Sequence, residues 1–307
     1  MARVLVTGGA GFVGSNLVSR LIQENHEVTI IDDFSNGLSS NVNPAATLVN
    51  ADLSEDSWLN QLTGQKFDAV VHCAAQASNA TSFKDPIRDM YANQLSTLRV
   101  VKFCEKESIR RLIFTSSMSV YGNPEKFPTL SSTLPKPETY YALHKATAES
   151  YLQLNPKLDW TIFRLYTTYG AGQNLANQEQ GLVKIFLSYI LKGEPVKVHG
   201  SGDRVRDIIH VSDVVDAIYL SLFNEKSYLK TYNLGTGLTI TVKQLIARLY
   251  QEMGISEPPN VIYEPADIGD PNKTHADISD AKIDLGWAPK VDPEDGIVLT
   301  VSKYKTS

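Results

Sequence analysis

Arg3-Val4-Leu5-Val6-Thr7-Gly8-Gly9-Ala10-Gly11-Phe12-Val13-Gly14 decides how this chain is read. A short β-branched run breaks into glycines that satisfy G-x-G-x-x-G counted from Gly9 and G-x-x-G-x-x-G counted from Gly8. A strand that turns on such glycines into a helix brings backbone N–H groups close to a pyrophosphate and rests the anion on the helix N-terminus. The next strand-like run, His26 to Asp32, ends about 20 residues on in a carboxylate placed to bind an adenosine ribose diol. Asp33 follows, and no Arg or Lys comes soon after to accept a 2′-phosphate, so NAD is expected rather than NADP. Past the third strand, Asp52-Leu53 reads either as a hold on the adenine edge or as an ordinary helix-capping Asp.

Outward from that motif, strand-like runs at Arg3 to Thr7, His26 to Asp32, Thr47 to Asn50, Ala69 to Cys73, Arg111 to Ser116 and Trp160 to Leu165 alternate with helical patterns such as Val13 to Glu24 and Met90 to Glu107. The alternation predicts an α/β fold with a Rossmann-like, doubly wound parallel sheet and ligands at the carboxyl ends of its strands. After Thr168 the rhythm breaks into shorter, Gly- and Pro-punctuated elements, predicting a smaller, loop-rich α/β lobe. Thr231 to Leu234 again looks like a buried strand. The expected division is a coenzyme domain over 1–168, joined again by about 205–240, and a substrate lobe over 169–204 and 241–307.

With 307 residues, 42% of them hydrophobic, the chain can bury a sizeable core. Its net charge of -5 and lack of long basic runs speak against nucleic acid as a partner. Cys73 and Cys104 suit reduced, buried thiols better than a disulfide framework. The six histidines show no metal-ligand spacing, so no metal is expected. The first residues carry no secretory leader pattern, and no apolar run approaches the ~20 residues of a membrane span. A soluble, cytoplasmic protein with small-molecule ligands is expected.

Tyr141-Ala142-Leu143-His144-Lys145 lies among helix formers, so Tyr141 and Lys145 share a helical face. A phenol of pKa ~10 needs ~4 kcal/mol of anion stabilisation to be half ionised near neutrality. A cation ~4 Å away at an effective dielectric of ~20 supplies about that much. Lys145, helped by an oxidised nicotinamide, is therefore expected to make Tyr141 a usable base. The fifth strand ends in Thr115-Ser116-Ser117-Met118-Ser119-Val120-Tyr121-Gly122, where Ser117 can hydrogen-bond the reacting oxygen.

Together, Thr7 to Ser15, Asp32-Asp33, His72 to Ser78, Asn93, Ser116 to Gly122, Tyr141 to Lys145, Arg164 with Tyr169-Gly170, Gly200 to Asp216, and Ala276 to Pro289 resemble the extended short-chain dehydrogenase/reductase family of nucleotide-sugar epimerases and dehydratases, over essentially the whole chain. The resemblance implies a Tyr141, Lys145 and Ser117 catalytic group. It also implies that Gly8, Gly11, Phe12, Val13, Gly14, Asp32, Asp33, Asp52, Leu53, Ala74, Ala75, Gln76 and Asn93 form the NAD site, with Lys145 also on the nicotinamide ribose. Ser78, Ser117, Thr167, Arg206 and Asp267 fall at substrate positions, Arg206 matching the arginine that pairs with the substrate diphosphate. Many relatives pair through the helices bearing the catalytic tyrosine, so a homodimer is implied by analogy.

Family dehydratases carry Asp-Glu directly after the catalytic hydroxyl, and decarboxylases a Glu at the second of those positions. Here Met118 and Ser119 stand there. What remains is C4 epimerisation of a nucleotide-sugar through a transient 4-keto intermediate. A dehydrogenase or 4-ketoreductase using the same residues is the alternative, and a non-catalytic NAD-sensing protein a third. Thr167 replaces a common Asn, and Asp267 replaces a second arginine, so Asp267 is expected to turn away from the diphosphate or to bind a hydroxyl. Thr274 hints at room for an N-acetyl group, and His144 is expected on the helix face away from Tyr141.

Overall fold

The switch in strand order between β1 (Arg3–Thr7) and β4 (Ala69–His72) organises the computed structural model, which describes residues 1–257 and 259–305. β2 (Glu27–Asp32) and β3 (Thr47–Asn50) extend the sheet on one side of β1. On the other side come β4, β5 (Arg111–Ser117), β6 (Asp159–Leu165) and a late strand, Lys230–Leu234. All seven strands are parallel, and the order is that of a doubly wound Rossmann-like sheet. The expected strand ends are met to within about a residue, the usual uncertainty of element boundaries.

Strand alternation explains the two layers. Val4, Val6, Ala69, Val71 and Ile113 point to one face, where α1 (Phe12–Gln23) brings Leu17, Val18 and Leu21. Leu5, Val70, Leu112 and Phe114 point to the other, against Val100, Val101 and Phe103 of α5 (Ser96–Lys106) and Ala148 and Leu152 of α6 (Tyr140–Gln153). Between them come α2 (Ser57–Leu62), α3 (Asn79–Lys84) and α4 (Pro86–Met90).

The helix expected from Met90 to Glu107 is not continuous. Tyr91–Leu95 forms a wider, π-type turn before α5. The hydroxyls of Ser96 and Thr97 donate to the carbonyls of Ala92 and Asn93, 2.6 Å each, competing with the regular helical pattern. Such turns re-aim side chains at functional sites.

A third core lies in the smaller lobe. There β7 (Thr167–Tyr169), α7 (Leu182–Lys192), β8 (Val196–His199), β9 (Val205–Arg206) and β10 (Ile208–His210) lead to α8 (Val211–Ser221), which packs against α1 of the main sheet. With the Lys230–Leu234 strand as β11, β12 (Ile240–Thr241), α9 (Val242–Met253), β13 (Val261–Glu264), α10 (Ser279–Leu285) and α11 (Pro293–Lys305) complete the chain. Val183, Phe186, Leu245, Leu249 and Ile297 form this lobe's centre. No helix among the described residues is long and apolar enough to cross a membrane, and both cysteines are free.

Candidate active site

The glycine turn follows from contacts that leave no room for a side chain. Gly8 has φ +67°, and a Cβ there would lie 2.7 Å from the Ala74 nitrogen; one on Gly14 would lie 2.1 Å from the Gly8 carbonyl oxygen. The β1 and β4 turns are therefore pressed together, and the Ala74 N–H donates to Thr7 Oγ1 at 3.3 Å. Gly11 caps α1 without a side chain and no acidic residue occupies the first turn, so the helix offers free N–H groups to an anion. Asp32, buried at the end of β2, accepts the N–H groups of Ala10 and Phe34, each at 2.9 Å. Burial holds its pKa above the usual carboxylate value, against those backbone bonds. The cradle and the carboxylate fit a dinucleotide.

Neighbouring expectations divide. Phe12 and Val13 open α1, half-buried, and Ala75 sits half-buried beyond β4. Asp33 is exposed and spends its carboxylate on Ser35. Asp52, also exposed, accepts the Ser54 N–H at 2.7 Å in a local turn and caps no helix, α2 having Asp56 at its N-cap, while Leu53 is buried. Sequence reading missed residues 171–180, which cross from the glycine turn to Gln76. Asn16 and Asn41 donate to the carbonyls of Ala171 and Gly172, Asn36 donates to Gln180, and Gln180 donates to Gln76. Only an abundance of Asn and Gln signals this segment in the sequence.

Tyr141, Ser117 and Lys145 meet at the carboxyl edge of the sheet. The side chain of Tyr141 is buried with its phenol in hydrogen-bonding contact with Ser117. Ser117 also donates to Ser119 Oγ at 3.1 Å. Lys145 is fully enclosed, donates to the Thr115 carbonyl at 2.9 Å and stands 4.5 Å from the centre of the Phe114 ring. The electrostatics of the coenzyme-free chain set what the Tyr141 and Lys145 pair has to overcome. Burial pushes the Tyr141 phenol up to about 12, outweighing the help from Ser117 and reinforced by Asp89. Burial likewise pushes Lys145 down to about 8. The ammonium gives one of its three N–H groups to the Thr115 carbonyl. Behind the group, Glu149 takes Arg164 in a two-pronged pair (3.0 and 2.7 Å) and the Ser116 hydroxyl at 2.5 Å, locking α6 to β5 and β6.

His144 corrects the sequence expectation. It does not lie on a free helix face: its buried Nδ1 is 2.6 Å from Asp89 Oδ2. Three residues past Tyr141 is less than one turn, so both side chains fall toward the same side of α6. Asp89 Oδ1 accepts from Gln76 Nε2 at 2.6 Å and Asn93 Nδ2 at 3.1 Å. Asn93 Nδ2 also donates to the Gln76 carbonyl at 2.9 Å. Asp89 carries no motif in the sequence, standing in the mixed stretch Pro86-Ile87-Arg88-Asp89-Met90. Ser78 caps α3, accepting the Thr81 N–H at 3.1 Å.

In the smaller lobe, Arg206 is buried on β9, donates to Asp270 Oδ1 at 2.7 Å, and is lowered to about 9 by burial and then by Arg204. Arg204 pairs with the other Asp270 oxygen. Asp267 is exposed, pairs with His199 at 3.1 Å and acts electrostatically on Arg204. Thr167 is half-buried on β7 beside Ile208. Thr274 is buried and accepts the Asp207 N–H at 3.0 Å. Lys184 was missed. It is buried in the first turn of α7, its ammonium has no hydrogen-bond partner, and burial lowers it to about 8. Its side chain passes the uncapped N-terminus at Gly181, where a Cβ would come within 3.6 Å of Lys184 Cε.

A family model described as "NAD dependent epimerase/dehydratase family" matches residues 4–235. The putative UDP-glucose 4-epimerase of Methanocaldococcus jannaschii is 32% identical over 99% of both chains. The Thermotoga maritima UDP-glucose 4-epimerase, solved with UDP-glucose, superposes with a TM-score of 0.94 at 34% identity over 99% of each chain. The Thermus thermophilus UDP-glucose 4-epimerase, solved with NAD, gives 0.92 at 32% over 99% of each. Built on the same cradle and sheet, the chain belongs to the NAD-dependent epimerase/dehydratase family, as an enzyme with NAD for its coenzyme.

Proposed function

We propose that this enzyme interconverts a nucleotide-sugar with its C4 epimer, UDP-glucose and UDP-galactose being the first pair to test. The observation that carries the reading is the buried Tyr141 phenol against Ser117, followed by Met118 and Ser119 where other chemistries need carboxylates. Gly8, Gly11, Gly14 and Asp32 hold the coenzyme, with Gln76, Asn93 and Lys145 along its nicotinamide end. NAD, when bound, supplies a hydride acceptor that later returns the hydride, and a positive charge that offsets the cost of burying a phenolate. Tyr141 takes the C4 hydroxyl proton as C4 gives up hydride, and Ser117 hydrogen-bonds the oxygen throughout. The resulting 4-keto sugar turns in the site and accepts hydride on its other face, while Tyr141 returns the proton. Buried Arg206 and unpaired Lys184 offer cations for the diphosphate, whose binding leaves the sugar free to turn. Residues 1–168 and the part of 205–240 beyond β9 and its Arg206 serve the coenzyme, and the remainder the nucleotide.

Incubated with NAD-loaded enzyme, UDP-glucose is expected to yield UDP-galactose by NMR without accumulation of free NADH. NADH formed in step with product would show a dehydrogenase instead.

The same reading extends to a homodimer. Phe83, Ile87, Tyr91, Tyr140 and Leu143 are 39–63% exposed on α3, α4, the π-type turn and α6, elements that pack on one another. A second copy of the chain is the proposed cover, with α6 against α6. Light scattering is expected to give twice the chain mass, and Leu143→Glu the mass of one chain. A single-chain mass for the unmodified protein would end this proposal.

A further inference from the structure

The connection between the coenzyme edge and the catalytic helix runs through one buried carboxylate. Asp89 is 1% exposed and uses both oxygens, reaching the β4–α3 loop through Gln76, the π-type turn through Asn93, and α6 through His144. With its amide N–H groups committed to Asp89 and the Gln76 carbonyl, Asn93 keeps a fixed orientation, and its buried Oδ1 has no donor. We infer that Asp89 is a positioning residue, which His144 ties to the catalytic helix, and that its buried charge sets the field at Tyr141 and Lys145. His144 lies between those two on the same helix, so the carboxylate that orients the amides also fixes the rotation of α6 about its axis.

Asp89 acts electrostatically on both Tyr141 and Lys145, favouring the protonated form of each. Its other ionisable surroundings are few. Glu149, one turn beyond Lys145, is spent on Arg164, His72 at the end of β4 is enclosed and held uncharged by burial, and the half-buried Cys73 thiol is pushed up by desolvation. On the short helices, Lys84 is exposed and paired with Glu179, and Asp85 and Arg88 are exposed. Asp89 is thus a buried carboxylate that no Arg or Lys contacts directly among the described residues, its basic contact being the His144 imidazole.

The inference rests on Tyr141 as proton carrier, and its first test needs no sugar. In NAD-loaded enzyme, the near-ultraviolet absorbance of the phenolate is titrated, with Tyr141→Phe subtracted to isolate the one phenol. Asp89→Asn keeps the shape and removes the charge, and the midpoint is expected to fall by about one pH unit. A midpoint unchanged from the unmodified enzyme overturns the electrostatic role. The second test reads position. His144→Leu is expected to lower kcat about tenfold at little change in KM, and His144→Asn, whose amide can stand in for Nδ1, to recover most of it. If His144→Asn is as slow as His144→Leu, the tether is not what His144 provides. Failure of UDP-glucose as substrate would leave the absorbance titration intact, so the two readings fail separately.

Discussion

Tyr141→Phe is expected to bind NAD as the unmodified enzyme does and to lose at least ~10²-fold in kcat. The substitution deletes one oxygen from a side chain packed at the end of β5 and leaves the ring, the helix and the Lys145–Thr115 bond in place. Removing a buried hydroxyl that interacts with Ser117 costs about 0.5–1.5 kcal/mol of stability, too little to unfold the chain. The loss therefore falls on the proton transfer. Because burial holds the phenol up to about 12 in the coenzyme-free chain, activity should rise with pH, the base being the phenolate. The limb should start well below 12, because oxidised nicotinamide adds a cation that the bare chain lacks. Steady-state rates across pH, beside NAD binding followed by fluorescence quenching, check both statements. Turnover within a few-fold of normal in the phenylalanine variant would remove Tyr141 from the chemistry.

Gly14→Ala should abolish useful NAD binding, with affinity lower by at least ~10²-fold and stability lower by about 1–3 kcal/mol. The added carbon would stand 2.1 Å from the Gly8 carbonyl oxygen, an atom that cannot move without moving the turn itself. That same turn supplies the N–H groups and the close backbone approach on which a pyrophosphate depends. Gly11→Ala offers the graded comparison, since its added carbon meets the same oxygen at 3.1 Å and the backbone there needs no positive φ. It should weaken NAD binding by much less. Equal affinities for the two alanine variants would mean that the Gly8–Gly14 contact does not shape the coenzyme site.

Some residues declare themselves in the sequence because their role is local. The glycine turn, Asp32 at a strand end and Tyr141 with Lys145 one helical turn apart follow from spacing, and the structure brings all of them to one edge of the sheet. His144 and Asp89 do not declare themselves. They are 55 residues apart and meet only because α4 packs against α6. The amide-rich segment at 171–180 and the unpaired ammonium of Lys184 are equally silent, because neither an irregular crossing nor the lack of a partner leaves a periodic trace.

Hydrophobic alternation and helical spacing were enough to place the strands of the parallel sheet and to anticipate the return of the chain at Thr231 to Leu234, because those patterns answer to backbone periodicity alone. Charge behaved otherwise. The sequence put a cation one turn from a phenol, with nicotinamide to help it, but did not show that folding buries both groups, gives the ammonium a bond to the Thr115 carbonyl and brings the Asp89 carboxylate within electrostatic reach of the phenol. Desolvation depends on everything that surrounds a group from all sides, and only the packed tertiary structure decides that.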